Sequence, residues 1–146
     1  MTLITNYNRA PLALGDVRSR TVTIRNLEEE EITVERGTVL GRNDAGEYVV
    51  LKSTAIDGSQ YPKAILAGSV TLAADGTGTQ QVFISGDFNS AGLVFDGTDT
   101  LNTLVGGLTI ATSPEVDIAG QRIEDWMKGQ SLFVQNVSEL TDYDNQ

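Results

Sequence analysis

Cysteine and histidine are both absent from the 146 residues. Their absence removes disulfides, thiolate nucleophiles, Ser-His-Asp and Cys-His catalysis, and zinc sites of the usual kind. A cysteine-free chain is compatible with any redox compartment, but it is not a small disulfide-stapled scaffold. No apolar run approaches the roughly 20 residues that cross a bilayer. The opening stretch, MTLITNYNRAPLALGD, lacks the basic and long apolar regions of a signal peptide. The expectation is a soluble, unexported chain with no membrane partner.

Cations are scarce as well, 10 Lys and Arg against 20 Asp and Glu, for a net charge of −10. Phosphate binding needs a cationic surface, so no nucleic-acid partner is expected. The deficit is uneven. Residues 1–27 hold Arg9, Arg18, Arg20 and Arg25 against Asp16 alone, a net +3, so the rest of the chain carries −13. A basic N-terminal segment on an acidic body has two readings: chance and solubility, or an arm that docks on an acidic neighbour.

What is present is a hydrophobic fraction of 40 % with 15 glycines. That suffices for one domain with a core. Short apolar runs punctuated by Gly, Asp and Asn predict a mainly β fold. Residues 1–20, with Pro11 and Gly15, read as a flexible arm. At about 3.3 Å per residue it reaches roughly 60 Å. RTVTIRN alternates Val22 and Ile24 with polar neighbours. It reads as a strand suited to pairing with the sheet edge of another chain. ITV, TVLGR, YVVL and SLFVQNV read as further strands, and KAILAGSVTL as one long buried strand. ADGTGTQ reads as a loop and QVFISGDF as a strand ending at Gly86. In VDIAGQRIEDWMKGQ, Ile118, Ile123, Trp126 and Met127 recur at helical spacing, with Gly129 at the C-terminal cap. Residues 21–138 form a single β-rich domain in this reading, and 139–146 an acidic tail.

The search for chemistry returns little. Lys52 and Ser53 are adjacent, and neighbours in a strand point to opposite faces, which argues against a Ser-Lys dyad. Glu28 to Glu31 read as a solvated run. Asp44, Asp57, Asp75 and Asp96 stand at turn signals, where a carboxylate bonds nearby backbone. DGTGT and DGTDT lack the closing Glu of a calcium loop, and GTGTQQ lacks the GK[ST] ending of a phosphate loop. No metal, cofactor or catalytic residue is assigned. The profile is that of a binding or structural module.

The order RGTVLGRNDAGEYVVL, DGSQYPKAILAGSVT, VFISGDFNSAGLVF, helix, GQSLFVQNV resembles the head decoration proteins of tailed bacteriophages, of the phage lambda type. The resemblance covers residues 36–137. The passage RIEDWMKGQSLFV resembles the family's ending, although Glu124 and Asp125 make this helix acidic where the family's is basic. The resemblance implies a β-rich, partly open barrel-like (β-clip-like) body with one C-terminal helix and an extended N-terminal arm. It implies no enzymatic activity and no cofactor. Its partners would be the major capsid protein and the chain itself, as a homotrimer on the outer surface of the expanded head, assembled in the host cytoplasm. The arm would bind the capsid through Arg9, Pro11, Arg18, Arg20, Val22, Ile24 and Arg25. Tyr61, Pro62, Trp126 and Phe133 would be trimer or core contacts. The alternatives are a tail or baseplate β-module and, from another class, a carboxylate-dependent hydrolase or glycan-binding module.

Overall fold

Side chains that bond to nearby backbone set several of the corners. Asn43 Oδ1 accepts from the amides of Ala45 (3.0 Å) and Glu47 (2.9 Å). Asp57 Oδ1 accepts from the amide (3.0 Å) and hydroxyl (2.6 Å) of Ser59. Asp57 thus has the role expected of it, but in the earlier turn the bonding falls to Asn43 and not to Asp44. Asp75 adopts a positive φ of 49° and occupies the left-handed corner itself, a conformation Asp tolerates better than most residues.

A computed structural model describes residues 12–97, 99–105 and 122–135. Its elements are β1 (Arg18–Arg25), β2 (Ile32–Val34), β3 (Val39–Arg42), β4 (Tyr48–Val50), β5 (Pro62–Leu66), β6 (Val70–Leu72), β7 (Thr77–Asn89), a 3₁₀ turn (Ser90–Gly92), α1 (Ile123–Gly129) and β8 (Leu132–Gln135). Strands β1, β4, β3, β5 and β7 are neighbours in that order, and β1 also pairs with β7, which closes a five-stranded barrel. β8 adds in parallel to the far half of β7, and β2 and β6 form a separate antiparallel ribbon. Among the described residues the body is mainly β with one α-helix, towards the C-terminus, as the sequence predicts.

Strand β7 organises the barrel. It runs antiparallel to β1 from Arg25↔Thr77 to Arg18↔Ser85, and pairs with β5 at Ile65↔Phe83 and Leu66↔Val82. Residues 77–80, expected in a loop, are therefore strand. A polar stretch is held in the sheet because β1 supplies a partner for each of those residues. Nor does the strand end at Gly86. That residue, at φ +139°, lies against Val17, where a Cβ would fall 2.6 Å from a Val17 methyl. The chain continues through it to pair with β8. KAILAGSVTL is two strands, broken at Ala67–Ser69, because β5 belongs to the barrel and β6 to the ribbon.

Two cores result. Ile24, Leu40, Ala64, Leu66 and Val82 come from four barrel strands and meet Val34 and Leu72 of the ribbon. Val39, Ile65 and Phe88 face the other way and join Leu12, Leu51, Val105, Ile123, Met127 and Leu132. Alternate residues of β3 and β5 thus enter different cores, which is why these strands read as unbroken apolar runs. Ile123 and Met127 are one helical turn apart and wholly buried. Burial of each contributes about 1.5–3 kcal/mol. Gly129 is the last helical residue rather than the cap; Gln130 caps, and Ser131 takes the left-handed conformation at φ +65°. Residues 116–121 of the expected helix, Ile118 among them, and the tail at 139–146 lie outside the described residues.

Candidate functional site

The residues expected to bind a partner fall into two separate groups. Of the arm set, Arg9 and Pro11 lie outside the described residues. The chain is described from Leu12, which is buried and whose carbonyl accepts from the Asn89 amide at 2.8 Å. Leu14 N donates to Asp87 O at 2.9 Å, and Ala13 bridges Phe88. Residues 12–14 are thus laid along the end of β7.

Arg18 and Arg20 are exposed in the first half of β1, opposite Ser85 and Val82. One edge of β1 is taken by β7. On the other edge the ladder contact is with β4 at Ile24↔Tyr48, so among the described residues 18–22 have no strand neighbour there. Val22 is half-buried and Ile24 fully buried in the barrel. Arg25 is committed to its own body: Nε donates to Glu47 Oε1 at 2.8 Å, and Nη1 to the carbonyl (3.1 Å) and carboxylate (3.2 Å) of Asp75. The hydrogen bond from Arg25 holds the Glu47 carboxyl below its ordinary range, and Glu47 in turn raises the Arg25 guanidinium.

The second group lies around α1. Tyr61 and Trp126 pack ring on ring, centroids 4.6 Å apart and tilted by 54°. Both border the core that contains Met127, and Pro62 is buried at the start of β5. The Trp126 Nε1 is buried without a hydrogen-bond partner among the described residues. Phe133 differs from these three, since it is 46 % exposed and points outward from β8. At the start of α1, Arg122 bonds Asp125 through Nε (3.3 Å) and Nη2 (3.2 Å), and its amide donates to the same carboxylate. Asp125 is lowered by that side-chain hydrogen bond. The acidity of this helix is used locally, to cap it.

The residues weighed for catalysis have other partners. Lys52 Nζ lies 3.3 Å from Glu28, whereas Ser53 Oγ donates to Asp99 Oδ1 at 2.7 Å. Glu29, Glu30 and Glu31 are exposed. Among the described residues no group of three or more Asp and Glu stands together as a metal site, and no helix is long and apolar enough to cross a membrane.

One feature had no signal in the sequence. A groove of about 480 Å³ runs between β2 and the segment Val94–Asp96, over Thr38 and Val50. Its two walls come from segments distant in the chain, so no local pattern marks it.

The described residues form a small closed β-barrel with a second core covered by a helix. A sequence model of the family described as Bacteriophage lambda head decoration protein D matches residues 13–103. The match covers more than half of the chain, and the chain belongs to that family. The matched segment holds β1 to β7 and starts well before the resemblance noted from Arg36 onward. It stops short of α1 and β8, so the likeness of RIEDWMKGQSLFV to the family's ending lies outside it. No curated protein matches the chain.

Proposed function

We propose that the chain is a capsid decoration protein, which binds the expanded phage head as trimers and stabilises the shell against internal pressure. The observation that carries this reading is membership of a head decoration family across the whole barrel. The physics is mass action. A protein that binds the assembled shell and not its separated subunits stabilises the assembly, and many equivalent sites multiply the effect. The major capsid protein is the partner, and the outer surface of the head is the place. Residues preceding Leu12, with Arg9 and Pro11, form the capsid-binding arm together with the exposed Arg18 and Arg20. The open edge at residues 18–22 supports strand pairing with a capsid segment. Phe133, exposed on the last strand, is the best placed of the aromatic set for a trimer contact, whereas Pro62 serves the core.

The test is co-sedimentation of purified protein with undecorated heads, before and after expansion. Saturable binding to expanded heads alone, with density in threes at the local three-fold axes, is the expected result. Absence of binding to either form would overturn the reading in favour of a tail or baseplate module.

A further inference from the structure

The groove between β2 and Val94–Asp96 has the geometry of a slot for an added strand. Residues Ile32, Thr33, Val34 and Glu35 all line it, as do the consecutive residues Val94, Phe95 and Asp96. Successive side chains of an extended chain point to opposite faces. A groove lined by unbroken runs on both sides therefore follows strand edges, not strand faces. The β2 edge has no strand neighbour there among the described residues, since β2 pairs with β6 alone. The opposite wall is anchored as a strand would be. Val94 N donates to Gly37 O, and Val94 O accepts from Val39 N, both at 3.0 Å.

The slot also has a defined chemistry. Ile32, Val94 and Phe95 make its sides apolar, and Val94 is 38 % exposed. Glu28, Glu35 and Asp96 stand at the groove against one cation, Lys52, which Glu28 already engages at 3.3 Å. Glu35 and Asp96 are exposed, and neither carboxylate forms an ion pair with another described residue. A strand edge open among the described residues, with apolar walls and carboxylates unpaired there, selects an extended segment with apolar side chains and at least one Lys or Arg. On a chain of net charge −10, that complement is better supplied by a foreign segment than by a second copy.

We infer that this slot receives an extended, cationic segment of the shell subunit, added as a strand along β2, as a contact distinct from the N-terminal arm. The inference rests on the decoration reading above. Its test is co-sedimentation with undecorated expanded heads, comparing wild type, the double variant Glu35→Lys/Asp96→Lys, Val94→Trp, and a control with equal charge change at two residues that do not line the slot, Glu29→Lys/Asp44→Lys. All the altered side chains are exposed, and circular dichroism and thermal melts establish that each variant folds. Both slot variants should bind at least about ten-fold more weakly, with the control within about two-fold of wild type at physiological salt. Amides of residues 32–35 should gain hydrogen-exchange protection on heads. Slot variants that bind as wild type does, or a control that loses as much, overturn the slot while leaving the decoration reading intact. Failure of the wild type itself to bind removes both. Concentration-dependent self-association of free protein, abolished by Val94→Trp, would assign the slot to a second copy instead.

Discussion

Gly41 in β3 lies directly against the backbone of Ser59: a Cβ at position 41 would fall 2.7 Å from the Ser59 carbonyl carbon and closer still to its oxygen. The contact is backbone on backbone, so neither partner can move aside as a side-chain tip would. It is also where the β3–β5 register shifts, between Leu40 and Gly41. Gly41→Ala is therefore expected to cost more than about 2 kcal/mol, within the range of overpacked core sites. Urea denaturation would show this as a lower midpoint at an unchanged slope; an unaltered midpoint would mean the loop at Ser59 yields freely.

Asn26 ties together the crossover from β1 to the ribbon. It is fully buried, and its Nδ2 reaches the carbonyls of Glu30 (2.8 Å), Ala73 (3.0 Å) and Leu72 (3.3 Å), while Oδ1 accepts from Glu28 N at 2.8 Å. Asn26→Ala leaves buried backbone groups unpaired, at a cost of about 2–4 kcal/mol. Asn26→Asp exchanges a donor for a second acceptor facing three carbonyls. It should be the worse of the two at pH 7, and thermal melts of the pair would rank them.

Acid should destabilise the fold in a defined window. Asp57, Glu47 and Asp125 are all lowered, by hydrogen bonds from Ser59, Arg25 and Arg122 respectively. Groups depressed in the folded state contribute stability above their unfolded values and lose it as pH falls through the folded ones. The urea midpoint should therefore be flat from pH 7 to about 5 and decline below about 4. Asp57→Asn should flatten part of that decline. A variant with the same acid slope as wild type would show that the Ser59 contact does not set the titration of Asp57.

Truncation separates the arm from the body. Removal of residues 1–11 stops before Leu12, a core residue. The fold should keep its melting temperature to within about 3 °C while binding to heads is lost. Removal of residues 1–20 deletes Leu12, Val17 and the first rungs of the β1–β7 ladder, from Arg18↔Ser85 to Arg20↔Val82. That cut should destabilise the barrel outright. If the shorter truncation still saturates expanded heads, capsid binding does not depend on residues 1–11.

Much of the architecture was legible because it is local. Asx bonds, the alternation of Val22 and Ile24, and the spacing of Ile123 and Met127 are properties of neighbouring residues. Each was readable without knowing what lies opposite. The length of β7 was not, because residues 77–80 are polar and become strand only through their pairing with β1. The use of the N-terminal region was legible in part. The charge of β1 is written in the sequence, whereas the burial of Ile24 and the engagement of Arg25 by Glu47 and Asp75 depend on strands far along the chain.

By itself, then, the amino-acid sequence determined a β-rich body without cysteine or histidine chemistry, its corners, the helix at Ile123–Gly129, and an order of motifs that resembles the phage head decoration family. Tertiary structure alone decided that β1 closes a barrel against β7, that adjacent residues of β3 and β5 serve two different cores, and that β2 faces Val94–Asp96 across an acidic slot. The reason is one of range. Turn and strand preferences act between neighbours along the chain, but closure, register and grooves come from pairings between distant segments, which no short stretch of sequence specifies alone.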